Sequence, residues 1–256
     1  MRTNPVKQKL AAGGSAYGTM VFEFSSPGLP AALVAAGADF ALYDMEHSGF
    51  TMAEMRSQFA YCRGIGLVPI VRPPEKSYAA VSQLLDIGAM GLMFQMVESA
   101  EEAKELVRWT RYPPAGVRGA MFGGAHDDYQ PGDVAAKMRG ADRRTFILAM
   151  IETKKGAQNM EEILAVKNID GGHLGQFDLS LSLGMPGQFE RPEIQSTINR
   201  LTATCKKLGK TAACMAPTLD LAKDWQKRGF RMISYSYDTG LLQDGLRTGI
   251  EALKRR

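Results

Sequence analysis

Apolar and polar positions divide the chain into two kinds of segment. Short runs rich in apolar, β-branched or aromatic residues, bounded by Gly, Pro or charge, occur at Thr19–Phe24, Asp39–Met45, Leu67–Arg72, Gly91–Val97, Thr145–Glu152, Gly172–Asp178, Thr211–Met215 and Arg231–Tyr237. Such runs predict buried strands. Between most of them the apolar spacing becomes helical. Met52–Gly64 carries Met52, Met55, Phe59 and Tyr61; Glu101–Trp109 sets Ala103, Leu106, Val107 and Trp109 against Glu101, Lys104 and Glu105. Leu219–Arg228 and Leu241–Leu253 read the same way.

Strand–helix alternation with eight strands predicts a parallel sheet covered by helices. In 256 residues the economical closure is an α/β fold of the (β/α)8 TIM-barrel type, one domain over residues 1–256. An open doubly wound sheet needs fewer strands or more chain, and no GxGxxG follows a strand. Gly209-Lys210-Thr211 is not a phosphate loop, because Thr204 occupies the position of the upstream glycine and a strand follows the tripeptide. The longest connection runs from Glu98 to Arg144. Its loop Ala120–Asp133 is long enough to predict a lid or an intersubunit contact.

Composition narrows the class. With 45% hydrophobic and 23% charged residues, collagen-like, disordered and disulfide-scaffold chains are excluded. Cys62, Cys205 and Cys214 are far apart, which fits a reducing compartment and argues against structural zinc. The net charge of +4 is scattered, and only Lys254, Arg255 and Arg256 approach a cluster, so no nucleic-acid partner is expected. Without a run of about 18 apolar residues no membrane span is expected. Met1–Ala12 lacks the apolar stretch of a signal peptide, so the expected location is cytoplasmic.

Reacting groups of a β/α barrel sit at the C-terminal ends of its strands. The second run ends in Asp44-Met45-Glu46-His47, the third in Arg72, the fifth in Met150-Ile151-Glu152-Thr153 and the sixth in Gly175-Gln176-Phe177-Asp178. One histidine, one arginine and several carboxylates thereby converge on one mouth. Glu152 and Asp178, without a thiol or imidazole companion, suit a hard divalent cation such as Mg²⁺ or Mn²⁺. Arg72 has the simpler alternative of a salt bridge to Asp44 or Glu46. His173 reads as core near the opposite face, and His126-Asp127-Asp128 as a possible but poorly converging metal cluster.

Several of these motifs keep order and spacing with a known family. Asp44-x-Glu46-His47, Val71-Arg72-Pro73, Leu84-Leu85-Asp86-Ile87-Gly88-Ala89, Arg111–Gly119, Ile151-Glu152-Thr153, Gly175-x-x-Asp178-Leu179-Ser180 and Tyr237-Asp238-Thr239 resemble the HpcH/HpaI aldolases over nearly the whole chain. The resemblance implies a barrel of the phosphoenolpyruvate/pyruvate superfamily whose last helix is exchanged between subunits of a homohexamer, a trimer of dimers. It implies a metal-dependent pyruvate aldolase that cleaves a 4-hydroxy-2-oxo acid to pyruvate and an aldehyde through a metal-bound enolate. Glu152 and Asp178 would hold the metal (Mg²⁺ or Mn²⁺, with Co²⁺ a further option). His47 would be the base, Arg72 would stabilise the enolate, and Asp86 would raise the basicity of His47 with Asp44 beside it. Met150, Gly175, Gln176, Phe177 and Asp178 would line the substrate pocket.

Two positions depart from the family pattern. Met150 stands where a substrate-contacting glutamine is usual, and Gln176 where a proline is usual. The expectation is that Gln176 partly replaces the missing amide. The alternatives are a related C–C lyase on another 2-oxo or acyl acid, a Schiff-base aldolase using Lys154 or Lys155, and a barrel that only binds a 2-oxo acid.

Overall fold

In the computed structural model, which describes residues 1–255, eight parallel strands close in sequence order into a barrel. They are β1 (Ala16–Val21), β2 (Phe40–Asp44), β3 (Val68–Arg72), β4 (Gly91–Phe94), β5 (Phe146–Ile151), β6 (Gly171–Leu174), β7 (Thr211–Ala216) and β8 (Met232–Tyr237). Every expected run contains a strand, and three differ in extent by three residues or more, β4 ending at Phe94 instead of Val97. β1 begins and ends three residues early, because the N–H groups of Phe22, Glu23 and Phe24 all donate to Asp238 Oδ2, at 3.2, 2.8 and 2.8 Å. β6 ends at Leu174; Gly175 caps a helix, Gln176–Ser182, where the strand was expected to continue to Asp178.

The helices begin where polar residues follow the strand ends. Thr51 opens Met52–Cys62 with a capping box, its hydroxyl accepting from Glu54 N and the Glu54 carboxylate accepting from Thr51 N. Ser77, Ser99, Thr153 and Thr218 cap later helices with the hydroxyl alone, each accepting from the N–H three residues on. The expected helices are present as Met52–Cys62, Ala100–Trp109, Leu219–Lys227 and Asp238–Lys254.

Strand alternation separates two apolar layers. Phe40, Leu42, Val68, Ile70, Phe146 and Leu148 fill the barrel, and Val6 and Leu10 of the helix Pro5–Ala11 close its lower end. Asn4 fixes that plug: its side chain accepts from Lys7 N and donates to the carbonyls of Met90 and Arg144, each at 3.0 Å. Ala41, Tyr43, Leu92, Ile147 and Ile151 face outward onto the helices. The parity that buries Leu42, Ile70 and Leu148 inside the barrel directs Asp44, Arg72 and Met150 into its mouth.

The loop Ala120–Asp133 does not cover this mouth. Asp128 accepts from Arg2 N and Nε at 2.6 and 2.8 Å, and Ala125 packs beside Gly88, which precedes β4. Those contacts fasten the loop to the lower end of its own barrel. They also account for the supposed metal cluster, since Asp127 accepts from Lys137 at 2.7 Å and His126 is buried. Beyond Gly240 the last helix exposes Leu242, Leu246, Ile250 and Leu253. Of the terminal basic run, Arg256 lies outside the described residues. No described helix is long and apolar enough to cross a membrane.

Candidate active site

β2 and β3 pair with Asp44 opposite Arg72, and both side chains are buried. Arg72 Nε donates to Asp44 Oδ1 at 2.9 Å and its NH2 donates to Oδ2. NH1 lies 2.8 Å from Glu46 Oε2 and 3.8 Å from the Met150 sulfur. Burial opposes the charge of Arg72, but the hydrogen bond and charge of Asp44, helped by Glu46, outweigh it and hold the guanidinium above its ordinary pKa. Asp44 also shapes the turn that follows, its Oδ1 accepting from the N–H groups of Glu46 and His47 at 2.8 and 3.4 Å. His47 is thereby placed at the rim, largely exposed, with Nε2 3.7 Å from Glu46 Oε2. The salt-bridge reading of Arg72 and its place at the mouth are therefore both met.

Across the mouth, Glu152 follows β5 and is 2% exposed. Burial pushes its carboxyl up to about 7, and the nearby charges of Asp178 and Glu46 push the same way, against the opposing Met96 N–H and Arg72. Met96 adopts a left-handed backbone (φ 46°) and donates its N–H to Glu152 Oε1 at 2.5 Å. Asp178 stands in the first turn of the helix Gln176–Ser182, where a carboxylate is favoured. Gly175 is the hinge between strand and helix. A Cβ there would lie 2.5 Å from Glu152 Oε2 and 2.8 Å from the Met150 methyl, so glycine is what lets the carboxylate lie against the chain.

A cavity of about 250 Å³ opens here, lined by His47, Arg72, Met150, Gly175, Gln176, Phe177 and Asp178, with Met20, Phe22, His173, Leu174 and Met215 completing the wall. No lysine lines it; Lys154 and Lys155 are exposed, and Lys210 bonds the carbonyls of Val166 and Ile169. Gln176 is buried in the wall, and Phe177, half exposed, meets Phe189 edge to face at 4.9 Å.

Asp86 ends the helix Tyr78–Asp86, its Oδ1 accepts from Arg118 at 2.7 Å, and it is not among the residues that line the cavity with His47 in this chain. One expectation needs correction. His173 is not near the opposite face: β6 is only four residues long, so its third residue reaches the cavity. Glu46, named from the sequence as an alternative partner to Asp44, joins it: Arg72 pairs with both. Met20 and Phe22 carried no local signal, since their placement follows from the distant hold of Asp238 on the loop after β1.

The family model of HpcH/HpaI aldolase/citrate lyase matches residues 19–244, a span that contains every one of these mouth residues. This chain belongs to that family. A 2-keto-3-deoxy-L-rhamnonate aldolase of Escherichia coli O17:K52:H18 is 33% identical over 244 residues, covering 95% of this chain and 91% of the relative. A hydroxypyruvate/pyruvate aldolase of Pseudomonas aeruginosa is 33% identical over 244 residues, covering 95% and 90%. The crystal structure of an HpcH/HpaI aldolase from Desulfitobacterium hafniense DCB-2 superposes with a TM-score of 0.92 at 32% identity, covering 98% of this chain and 97% of that one. As an HpcH/HpaI aldolase, the chain is a carbon–carbon lyase.

Proposed function

We propose that this aldolase cleaves a 4-hydroxy-2-oxo acid to pyruvate and an aldehyde, reversibly, with a divalent cation held by Glu152 and Asp178. The observation that carries the reading is geometric: the buried Glu152 carboxylate lies against Gly175, at the start of the helix that carries Asp178, and Asp178 shares its cavity wall with Arg72 and His47. Two carboxylates with no thiolate or imidazole form a donor set for a hard cation, Mg²⁺ or Mn²⁺, with Co²⁺ also accommodated. Gly175 leaves room for that carboxylate, so the residues fit the ion. When bound, the cation supplies Lewis acidity that disperses enolate charge.

The remaining roles belong to the chain itself. The 2-oxo acid lies against the wall formed by Gly175, Gln176, Phe177 and Met150. Arg72, fixed by Asp44 and Glu46, keeps a positive charge aimed at the oxygen that becomes negative. His47 at the rim takes the proton of the C4 hydroxyl; the C3–C4 bond breaks, the aldehyde leaves and the electron pair remains on the pyruvate enolate. A proton returned to C3 completes pyruvate. Asp86 is left without a role in its own chain's mouth.

The bare stripe Leu242, Leu246, Ile250 and Leu253 supports exchange of the last helix with a second copy, within the expected homohexamer. Sedimentation of Leu246→Asp tests it: dissociation is expected, and an unchanged assembly contradicts it. For the chemistry, a coupled assay scans 4-hydroxy-2-oxo acids for pyruvate release. Release that stops with EDTA and resumes with Mn²⁺ is expected. Release that survives EDTA and is trapped by borohydride contradicts the reading.

A further inference from the structure

Followed round the closed barrel, the lining of the mouth changes character. Between β2 and β6 it includes His47, Arg72, Gln176 and Asp178. From β7 through β8 to β1 it is Met215, Met20 and Phe22 alone, which offer thioether and phenyl surface and no strong hydrogen-bonding group. Strand parity puts them there. Ala213 and Ala16 face the barrel interior, so Met215 and Met20, two and four residues on, face its mouth. Ser234 is the residue of β8 in register with Met215, but it is 1% exposed and does not line the cavity. Phe22 and Met215 are only half-buried, so both present accessible surface to whatever enters.

Phe22 is held in this arc from two sides. Ser236 has a left-handed backbone (φ 53°) where the register between β1 and β8 slips, and beyond it Tyr237 and Asp238 meet the loop after β1. The Tyr237 ring packs edge to face on Phe22 with centroids 5.7 Å apart. Asp238 Oδ2 accepts from the N–H groups of Phe22, Glu23 and Phe24, and Oδ1 accepts from Thr239 N at 2.9 Å. Both oxygens of that buried carboxylate are thus engaged by backbone, and the arc gains no polar contact from it.

In the aldolase reading the 2-oxo acid head lies against the Gly175–Phe177 wall and Arg72, and the C4 hydroxyl faces His47. The substituent on C4, which becomes the side chain of the aldehyde, then extends over Met215, Met20 and Phe22. A methylene buried against such surface gains about fourfold in affinity. A hydroxyl or carboxylate in the same place loses hydration and finds no partner.

We propose that the β7–β8–β1 arc is an apolar subsite for the aldehyde part of the substrate. The enzyme accordingly favours a 4-hydroxy-2-oxo acid with a hydrocarbon tail over one with a hydroxylated or carboxylate tail, and Asp238 is a positioning residue that keeps Phe22 in the subsite. This rests on the aldolase reading and names the substrate class for the same cavity.

The test uses the full-length enzyme with Mn²⁺, pyruvate and aldehydes paired by shape: propanal with glycolaldehyde, and 4-methylpentanal with 4-oxobutanoate. Comparing the kcat/KM ratio within a pair between proteins cancels the intrinsic reactivity of each aldehyde. Met215→Gln, of similar length but carrying an amide, lowers the apolar-to-polar ratio about tenfold in at least one pair. Met215→Leu retains the ratio. Asp238→Ala raises KM for the apolar member more than for the polar one and leaves kcat close to wild type, a split that lost stability alone does not produce. A binding arm uses 2-oxo acids that lack the C4 hydroxyl and cannot be cleaved: by calorimetry the wild type binds 2-oxohexanoate about tenfold more tightly than 2-oxohexanedioate. A ratio unchanged by Met215→Gln in both pairs, or a dianion bound as tightly as 2-oxohexanoate, overturns the subsite. An equal rise in KM for both members removes Asp238 from it. Where a variant fails to fold, the wild-type binding pair decides. Wild-type protein that condenses pyruvate with none of these aldehydes contradicts the aldolase reading instead, and the binding pair still decides the subsite.

Discussion

On the β2–β3 side of the mouth Arg72 is clamped by both oxygens of Asp44 and by Glu46, whereas on the β5–β6 side Glu152 is buried with the Met96 N–H as its hydrogen-bond donor and no cation hydrogen-bonded to it among the described residues. The first side is finished without any ligand: it fixes a cation and sets the rim turn that carries His47. The second side is the one that the proposed metal ion at Glu152 and Asp178 would complete. Pre-positioned charge costs no reorganisation during a reaction, while unsatisfied buried groups are where binding free energy is gained. The contrast therefore separates a half whose positive charge is fixed within the chain from a half whose positive charge would come from the bound ion.

Breaking the unsatisfied side gives the largest effect. Glu152→Gln removes an anionic ligand from the pair, and loss of several kcal/mol of charge stabilisation lowers kcat/KM by about a thousandfold. The protein also loses the rise in melting temperature that Mn²⁺ gives the wild type, which a thermal melt with and without chelator checks. Breaking the finished side does something different. Arg72→Met lowers kcat by about 10²–10³-fold and strands the buried Asp44 carboxylate, costing about 3–5 kcal/mol in urea unfolding. Its Mn²⁺-induced stabilisation remains.

Smaller changes sharpen the same contrast. Asp238→Ala frees three N–H groups after β1 and loosens the Phe22 wall, at about 2 kcal/mol of stability by urea melts. Its effect on turnover falls on KM more than on kcat. His173 gives a pH signature. Its folded pKa, about 3, lies below the ordinary 6.5, so the unfolded chain takes up the proton first. The stability it contributes is whole above pH 6.5 and is lost as pH falls toward 3. Between pH 7 and pH 5 the wild type loses about 2 kcal/mol relative to His173→Phe. Parallel stability curves for the two proteins would show that the ring is not held neutral.

Most of the barrel could be read from the chain because short apolar runs alternate with helical spacing, and several polar residues at or just after those runs are helix caps or mouth groups. Asp44, Arg72, Glu152 and the helix-capping Thr51 are local signals of this kind. The misreadings have non-local causes. Phe22–Phe24 is apolar enough for a strand, but Asp238, more than two hundred residues away, draws its N–H groups into a loop. Gln176–Asp178 continues an apolar run, but Gly175 turns it into a helix because the Glu152 carboxylate and the Met150 methyl lie over its α-carbon. His173 was placed at the wrong end because β6 is shorter than the run that contains it.

The central claim is that this mouth makes the enolate of pyruvate. The most direct measurement is exchange of pyruvate methyl protons in deuterated water, followed by NMR after removal of the metal. The wild type with Mg²⁺ or Mn²⁺ is expected to exchange them, and His47→Ala and Glu152→Ala to lose the exchange. Absence of exchange with every divalent metal, or exchange that persists unchanged in both variants, would contradict the account.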